Sequence, residues 1–390
     1  MKVIFNEIKK IFNWKMCVVL LMGTLLIYQM VTEFDIKVFP NGSGDTASYN
    51  ITVKMVEDYG NEMDEEEFVD FQRIHEEKIN EADKFLSNNE DFNKYEIYSY
   101  EDYIKQRGAK GDTPDEDFEK MYWDNLLSKD GDIFWELQSM NGDVDRYKSR
   151  DAYLELLSSD YSKSKFNGDA KARLAEISEN KEYNSIFPRY VFDNYIRLIK
   201  GVAVSIIIGI AFMLTPLFIK DKRDKVEYIQ YSSKIGRGLF KSKLIAGFIS
   251  AMIIATVEII IYSILYSTNN TSMFFKSNIN SIFNYQFWFS MTFIQYIILT
   301  VACVYILSII TAFISMFVSR KVSSYVVGIG VQVPIVFILG QLTVRLLLNN
   351  LTFIYDPKYL TFGVYIFLIG IVVTIIYKAS KKEEIRDIFI

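Results

Sequence analysis

Few side chains in this sequence are of types that catalyse reactions together. His75 is the only histidine among 390 residues and lies among charged neighbours, which excludes a histidine-based triad or metal site. The acidic runs Asp64–Glu67 and Asp115–Asp117 lack the alternating spacing of a calcium loop, and no Gly-x-x-x-x-Gly-Lys-[Ser/Thr] phosphate loop occurs. The sequence therefore predicts a chain that is not an enzyme, has no metal site and does not hydrolyse ATP itself.

A few polar residues inside apolar runs are the remaining chemical candidates. Ionisable groups in a membrane are costly, so Glu258 is expected to face a bundle interior or a water-filled cavity. Gln295 and Gln332 can hydrogen-bond between helices, and Pro334 would kink its helix. We predict that these four residues line a polar pathway. The alternatives are a buried structural role for Glu258 and simple packing around Pro334.

The composition indicates a membrane protein with a sizeable aqueous part. Half of the residues are hydrophobic, 15% are aromatic and 23% are charged. Glu33–Tyr195 carries 20 Lys/Arg and 39 Asp/Glu, whereas the remainder carries 23 and 9. The acidic segment and the basic loops are therefore expected to face different compartments. Cys17 and Cys303 both lie in apolar runs, so the acidic segment must fold around its own core without disulfides.

Hydropathy predicts six membrane spans. Residues 1–15 have the pattern of an amphipathic helix in the plane of the headgroups, with Glu7 on the polar face. The first span, 16–32, is retained because no signal-peptidase site follows it. The second span is 195–219, and 244–377 holds four more apolar runs. These four runs are Leu244–Tyr266, Phe287–Val318, Ser324–Leu348 and Leu360–Tyr377.

Residues 33–194 are predicted to form a mainly α-helical, extracytoplasmic domain between the first two spans. The helices expected in it are Asp64–Ser87, Asp115–Met140, Asp151–Ser159 and Asp169–Glu179. Tyr49–Val56 and Tyr95–Tyr100 are compatible with short strands. The acidic surface of this domain could attract cationic peptides, although acidic runs are usually just solvated faces.

The loop at 220–243 carries eight Lys/Arg and three Asp/Glu, which places it in the cytoplasm. The two termini, including the tail 378–390, are expected on the same side. Within the loop, Val226–Ser233 predicts a two-turn amphipathic helix that ends before Gly236-Arg237-Gly238. Such a helix is suited to transmitting a push from a soluble partner. The alternative is a solvated basic loop that only fixes topology.

This layout resembles the ABC-2 type permeases, the membrane subunits of bacterial ATP-binding-cassette exporters. In that family the first cytoplasmic loop holds a coupling helix, and Glu227, Lys234, Gly236-Arg237 and Ser242-Lys243 occupy matching places. The Gln230-Tyr231 pair replaces the small residue usual in the family. The resemblance implies a non-catalytic subunit that pairs with a second permease, identical or related, and docks on two ATPase subunits. The implied ATPase contacts are Val226, Glu227, Tyr228, Ile229, Gln230, Tyr231, Ser232, Ser233 and Arg237.

The resemblance also implies export, with ATP and Mg²⁺ bound by the partner ATPase and no cofactor bound by this chain. We expect a cell-membrane location in a Gram-positive bacterium, contact with membrane lipid, no nucleic acid, and a peptide or amphiphile as substrate. The alternative is a membrane-anchored peptide sensor or immunity protein without transport. An intramembrane enzyme is disfavoured because no span groups a nucleophile with a base.

Overall fold

The structure is a computed structural model that describes residues 2–108, 116–126, 132–159, 166–226, 236, 238–282, 284–349 and 351–384. Within these ranges every regular element is a helix, and β-structure is limited to isolated bridges. The chain divides into two units. The membrane unit contains Met1–Phe39, Phe192–Asn270 and Ile294–Ile390, and the helical domain contains Pro40–Val191 and Thr271–Phe293.

Six helices in the described ranges are long and apolar enough to cross a membrane, as predicted, so the chain is a multi-pass membrane protein. From first to sixth, these spans are Trp14–Lys37, Arg189–Arg223, Gly238–Asn269, Phe293–Lys321, Tyr325–Leu347 and Leu360–Glu383. The second span is the most buried of the six, and its Ile206 and Ile210 side chains are inaccessible to solvent. It therefore forms the centre of the membrane unit.

Most spans differ in extent from the predicted apolar runs, and in the first and fourth the difference moves the boundary with the helical domain along the chain. The first span continues past Thr32 to Lys37 through a π-helical turn at Tyr28–Thr32. The fourth span begins at Phe293 rather than at Phe287, because the preceding residues form short 3₁₀ turns and extended backbone in the helical domain. Hydropathy did not reveal this boundary, since the residues on both sides of it are apolar.

The N-terminal helix, Lys2–Ile11, packs against the third span and the end of the second. Ile11 is buried there, whereas Phe5 is exposed. The assignment of Glu7 to a polar face was wrong, because this side chain is buried at the helix contact. Asn13 then caps the first span by accepting a backbone N–H bond of 3.2 Å. The in-plane orientation of the N-terminal helix remains a prediction.

The helical domain is built from helices that partly follow the sequence prediction. They are Gly42–Tyr59, Glu65–Ser87, Glu90–Asn93, Tyr100–Gly108, Glu116–Leu126, Asp132–Ser158 and Gly168–Glu179. The helix predicted from Asp64 is confirmed, and Asp64 forms a capping box with Glu67. The separate helix predicted at Asp151–Ser159 was wrong, because Asp132–Ser158 is continuous.

Both predicted strands were also wrong. Tyr49–Val56 lies within the helix Gly42–Tyr59, which packs along Asp132–Ser158. Tyr95–Tyr100 forms a turn that leads into the next helix. The strand preference of β-branched and aromatic residues is weak, and packing against neighbouring helices outweighs it in this domain.

Two hydrophobic cores stabilise the helical domain. One is rich in aromatic rings, with the Tyr103 and Phe134 centroids 4.6 Å apart. In the other, Phe68 stacks on Tyr147 at 3.8 Å between centroids. The domain therefore folds around its own apolar residues, as the absence of disulfide candidates predicted.

The segment Thr271–Phe293 belongs to the helical domain although it follows the third span in the chain. Arg173 and Glu182 form a buried ion pair with a shortest N–O distance of 2.6 Å. Asn280 donates a hydrogen bond to Glu182 at 2.7 Å, and Arg173 donates one to the Phe287 carbonyl at 3.2 Å. This network anchors the segment to the rest of the domain.

Candidate functional site

The predicted coupling helix lies mostly outside the described residues. Val226 is described, and its side chain is exposed. The other predicted ATPase contacts are not described: Glu227, Tyr228, Ile229, Gln230, Tyr231, Ser232, Ser233 and Arg237. Their role stays a prediction, but the side chains that hold both ends of the loop are described.

A buried ion pair joins the two ends of this loop. Lys243, at the start of the third span, is 3% exposed and pairs with the Asp221 carboxylate at the end of the second. The Lys243 ammonium also donates to the Leu217 carbonyl at 3.3 Å and lies 4.8 Å from the centroid of the Phe218 ring. Lys10 of the N-terminal helix places its Nζ 3.8 Å from Asp221 Oδ1. The two ends of the loop are thus held together.

Arg320 extends this network to the fourth and sixth spans. It pairs with the buried Glu383 carboxylate and donates to the Ala379 carbonyl at 2.9 Å. Its guanidinium lies 4.4 Å from the centroid of the Phe240 ring in the third span. Lys222 donates to the backbone carbonyl of Arg320. The sixth span continues beyond its predicted end at Tyr377, and the contacts with Arg320 lie in these additional turns.

We call these side chains the loop-base cluster: Lys10, Asp221, Lys222, Lys243, Arg320 and Glu383. The cluster joins the N-terminal helix to the second, third, fourth and sixth spans. The cluster could not be predicted from the sequence, because the pairs Asp221–Lys243 and Arg320–Glu383 join residues far apart in the chain. The only available signal was the presence of opposite charges at the ends of apolar runs.

A groove of about 1330 Å³ lies between the first, second and fifth spans. Most of its walls are apolar, and they include Ile207, Ile208, Phe212, Ile329, Val333 and Phe337. Arg197 and Lys200 line one end of the second span, and Lys220 and Arg223 line the other. Helical rise separates Arg197 from Lys220 by about 35 Å, close to the thickness of a bilayer. Asp35, which pairs with Arg197 at 2.8 Å, and Asp221 also line these ends. Apolar walls between charged ends suit an amphiphilic molecule.

The four predicted pathway residues do not come together. Gln332 lines the groove and donates to the Ser315 carbonyl of the fourth span at 3.3 Å. Pro334 lies within a helix that continues to Leu342, and Gln295 is exposed on the fourth span. Glu258 lies away from the groove. A shared role for the four residues stays a prediction, whereas Gln332 bridges two spans as an intramembrane amide can.

Glu258 lies in a separate polar cluster between the first three spans. It is 5% exposed, and both of its carboxylate oxygens lack a hydrogen-bond partner in the described part of the chain. The hydroxyl groups of Thr24 and Ser205 lie beside the carboxyl, without meeting hydrogen-bond geometry. This acid was visible in the sequence, but its neighbours were not.

The helical domain contains a cavity of about 430 Å³ that the sequence did not predict. Arg150 lines the cavity, with its guanidinium 3.5 Å from the Tyr147 ring centroid and 5.1 Å from that of Tyr183. Burial and a hydrogen bond to Asp151 raise the pKa of Tyr183 to about 12. Burial also raises the pKa of Asp143. The cavity thus combines aromatic rings with a largely buried cation.

Comparisons of the chain with protein-family models, with curated proteins and with solved structures found no match.

Proposed function

We propose that this chain is the membrane-spanning permease subunit of an ATP-binding-cassette exporter of the ABC-2 type. The observation that carries the proposal is the loop-base cluster, which holds both ends of 220–243 against the membrane unit. A loop that only fixed topology would need basic charge at the membrane surface, not a buried ion pair at its base. The cluster instead suits a loop that transmits force.

The Asp221–Lys243 pair accounts for how such force would reach the spans. Because Lys243 is buried and hydrogen-bonded, separating it from Asp221 would leave an uncompensated charge. A push on the loop would therefore move the second and third spans together rather than pull them apart. Arg320 would extend the motion to the fourth and sixth spans. ATP and Mg²⁺ would be held by the separate ATPase, and this chain would have no catalytic residue.

The groove supports a role in translocation. Its apolar walls and charged ends suit a peptide or an amphiphile, and Gln332 supplies a polar group within it. In a pair of permease subunits, identical or related, two such grooves would face each other and enclose a pathway. The same surface would contact membrane lipid in an unpaired subunit.

We place both termini and the coupling loop in the cytoplasm and the helical domain outside it. The charge distribution supports this topology, because the basic residues outside Glu33–Tyr195 far outnumber the acidic ones. The protein would reside in the cell membrane of a Gram-positive bacterium. The direction of transport, outward, rests on the family resemblance.

One observation favours the alternative function of a membrane-anchored peptide sensor. The cavity beside Arg150 in the helical domain has the size and polarity of a ligand site. A sensor would bind its peptide there without an ATPase.

A search for an ATPase gene beside the gene for this chain, followed by co-expression of the two proteins, tests the proposal. The permease account predicts a stable complex whose ATP hydrolysis drives uptake of substrate into inside-out vesicles. A catalytically inactive ATPase should still co-purify but should not support uptake. Peptide binding by the chain, with no ATPase in the purified complex and no uptake, would support the sensor instead.

A further inference from the structure

Glu258 is a buried acid that the proposed export mechanism does not use. It lies in the third span with both carboxylate oxygens unpartnered among the described residues. The nearest polar groups are the hydroxyls of Thr24 and Ser205. A methyl group on Gly209 would lie 3.3 Å from Glu258 Oε1, so a larger residue there would crowd the carboxyl.

More hydroxyl groups surround this acid. Tyr262 lies one turn further along the third span, near the Ser205 and Thr32 hydroxyls. The Tyr28 ring is 6.4 Å from the Tyr262 ring, between centroids. Tyr28 and Thr32 also bound the π-helical turn of the first span, and such turns are frequent at functional sites. We define the Glu258 cluster as Thr24, Tyr28, Thr32, Ser205, Glu258 and Tyr262.

The Glu258 cluster lacks a basic side chain in the part of the chain that is described. Among the described residues, the hydroxyl groups of Ser205 and Thr24 lie beside the carboxyl, and the other titratable groups that face the cluster are the phenols of Tyr28 and Tyr262. A carboxylate without a counter-charge is expensive to bury inside a membrane protein. Carboxylate and hydroxyl oxygens are, however, the ligands that hard cations prefer.

The same region holds the first span against the membrane unit. Most of that span is exposed, but Thr32 is fully buried. A methyl group on Gly201 of the second span would lie 2.5 Å from Thr32 Cγ2, and one on Gly209 would lie 2.9 Å from Leu20 Cδ1. The two spans therefore approach closely on both sides of Glu258, and a charge left in the cluster would disturb their packing.

We infer that the Glu258 cluster is an exchangeable site for one small monovalent cation, Na⁺ or H⁺, whose binding holds the first span against the second and third. Either cation neutralises the carboxylate, and the hydroxyl groups complete its surroundings. This inference does not depend on the ATPase. It predicts that the packing of the first span responds to Na⁺ or to pH in the purified chain alone.

Thermal unfolding of the full-length chain in detergent tests the site. The midpoint is measured in NaCl and in choline chloride at constant ionic strength, between pH 6 and pH 9. If Na⁺ is the ligand, NaCl raises the unfolding midpoint of the wild type. Because protons compete for the same carboxylate, the NaCl concentration that gives half of this increase rises by up to about tenfold per unit fall in pH. If H⁺ is the ligand, the midpoint falls with rising pH equally in both salts.

Glu258→Gln should abolish whichever response the wild type shows, because the amide keeps the shape but cannot bind either cation as a carboxylate does. Glu33→Gln, which neutralises a partly exposed carboxylate that pairs with Lys37 in the same span, should leave the response unchanged. A wild-type midpoint that is independent of both Na⁺ and pH would overturn the inference. So would a response that persists in Glu258→Gln.

Carbodiimide labelling of the wild type gives a readout that does not require the variant to fold. Dicyclohexylcarbodiimide modifies membrane-embedded carboxyl groups, and mass spectrometry locates the adduct. We expect an adduct at Glu258 that decreases when Na⁺ is added, for a Na⁺ site, or as the pH rises, for a proton site. An absent adduct, or one that is constant under all conditions, would contradict the inference.

Discussion

Lys243→Met should strongly destabilise the membrane unit. Lys243 is 3% exposed and the side chain of its partner Asp221 is 10% exposed, so the substitution leaves a carboxylate buried without its main counter-charge. Removing one partner of such a pair typically costs 3–5 kcal/mol. Lys10, at 3.8 Å from Asp221, recovers part of this loss. We therefore expect the free energy of unfolding to fall by about 3 kcal/mol.

Denaturant titration of the purified chain in detergent micelles measures this loss, and two variants serve as controls. Lys241→Met removes an exposed lysine two residues away and should change stability by less than about 0.5 kcal/mol. The double variant Lys243→Met, Asp221→Leu removes both charges and should be more stable than Lys243→Met alone. Equal stability of the Lys243→Met and Lys241→Met variants would refute the buried pair. A double variant less stable than the single one would refute the electrostatic explanation.

Two further predictions concern the helical domain and the topology. Arg173→Leu leaves a buried carboxylate without its cation, so limited proteolysis within Thr271–Phe293 should become faster, whereas Arg73→Leu at an exposed pair should change nothing. Equal cleavage of both variants would show that the buried pair does not anchor the segment. On intact cells, an impermeant thiol reagent should label Lys54→Cys and not Lys382→Cys in a background without other cysteines. The reverse labelling would invert the proposed topology.

Hydropathy and charge predicted much of the fold, because both are properties of short stretches of chain. Six spans follow from apolar runs of about 20 residues, and the helix Glu65–Ser87 follows from its capping box and periodic apolar residues. The strands predicted at Tyr49–Val56 and Tyr95–Tyr100 failed because local preference was outweighed by tertiary packing. A local sequence pattern therefore predicts that a helix forms better than it predicts which other helices pack against it.

The loop-base cluster, the Glu258 cluster and the groove are formed by residues that are distant in the chain. A single sequence does not reveal which distant residues are in contact. Asp221 and Lys243 were visible only as charges in a basic loop, and their burial as a pair depends on how the second and third spans pack. Glu258 was conspicuous as an acid in an apolar run, but Thr24 and Ser205 are ordinary residues in membrane helices. The groove likewise depends on three spans that are far apart in the chain.

Co-purification with a loop variant tests the central claim, that this chain couples to a separate ATPase through 220–243. Ile229→Asp with Tyr231→Ala removes the apolar anchors of the predicted coupling helix, and anchors of this kind are commonly worth about 2 kcal/mol or more each. We expect that this variant remains monodisperse, that the ATPase no longer co-purifies and that transport stops, whereas Lys241→Ala retains ATPase binding and transport. Undiminished ATPase binding and transport in the double variant would contradict the claim.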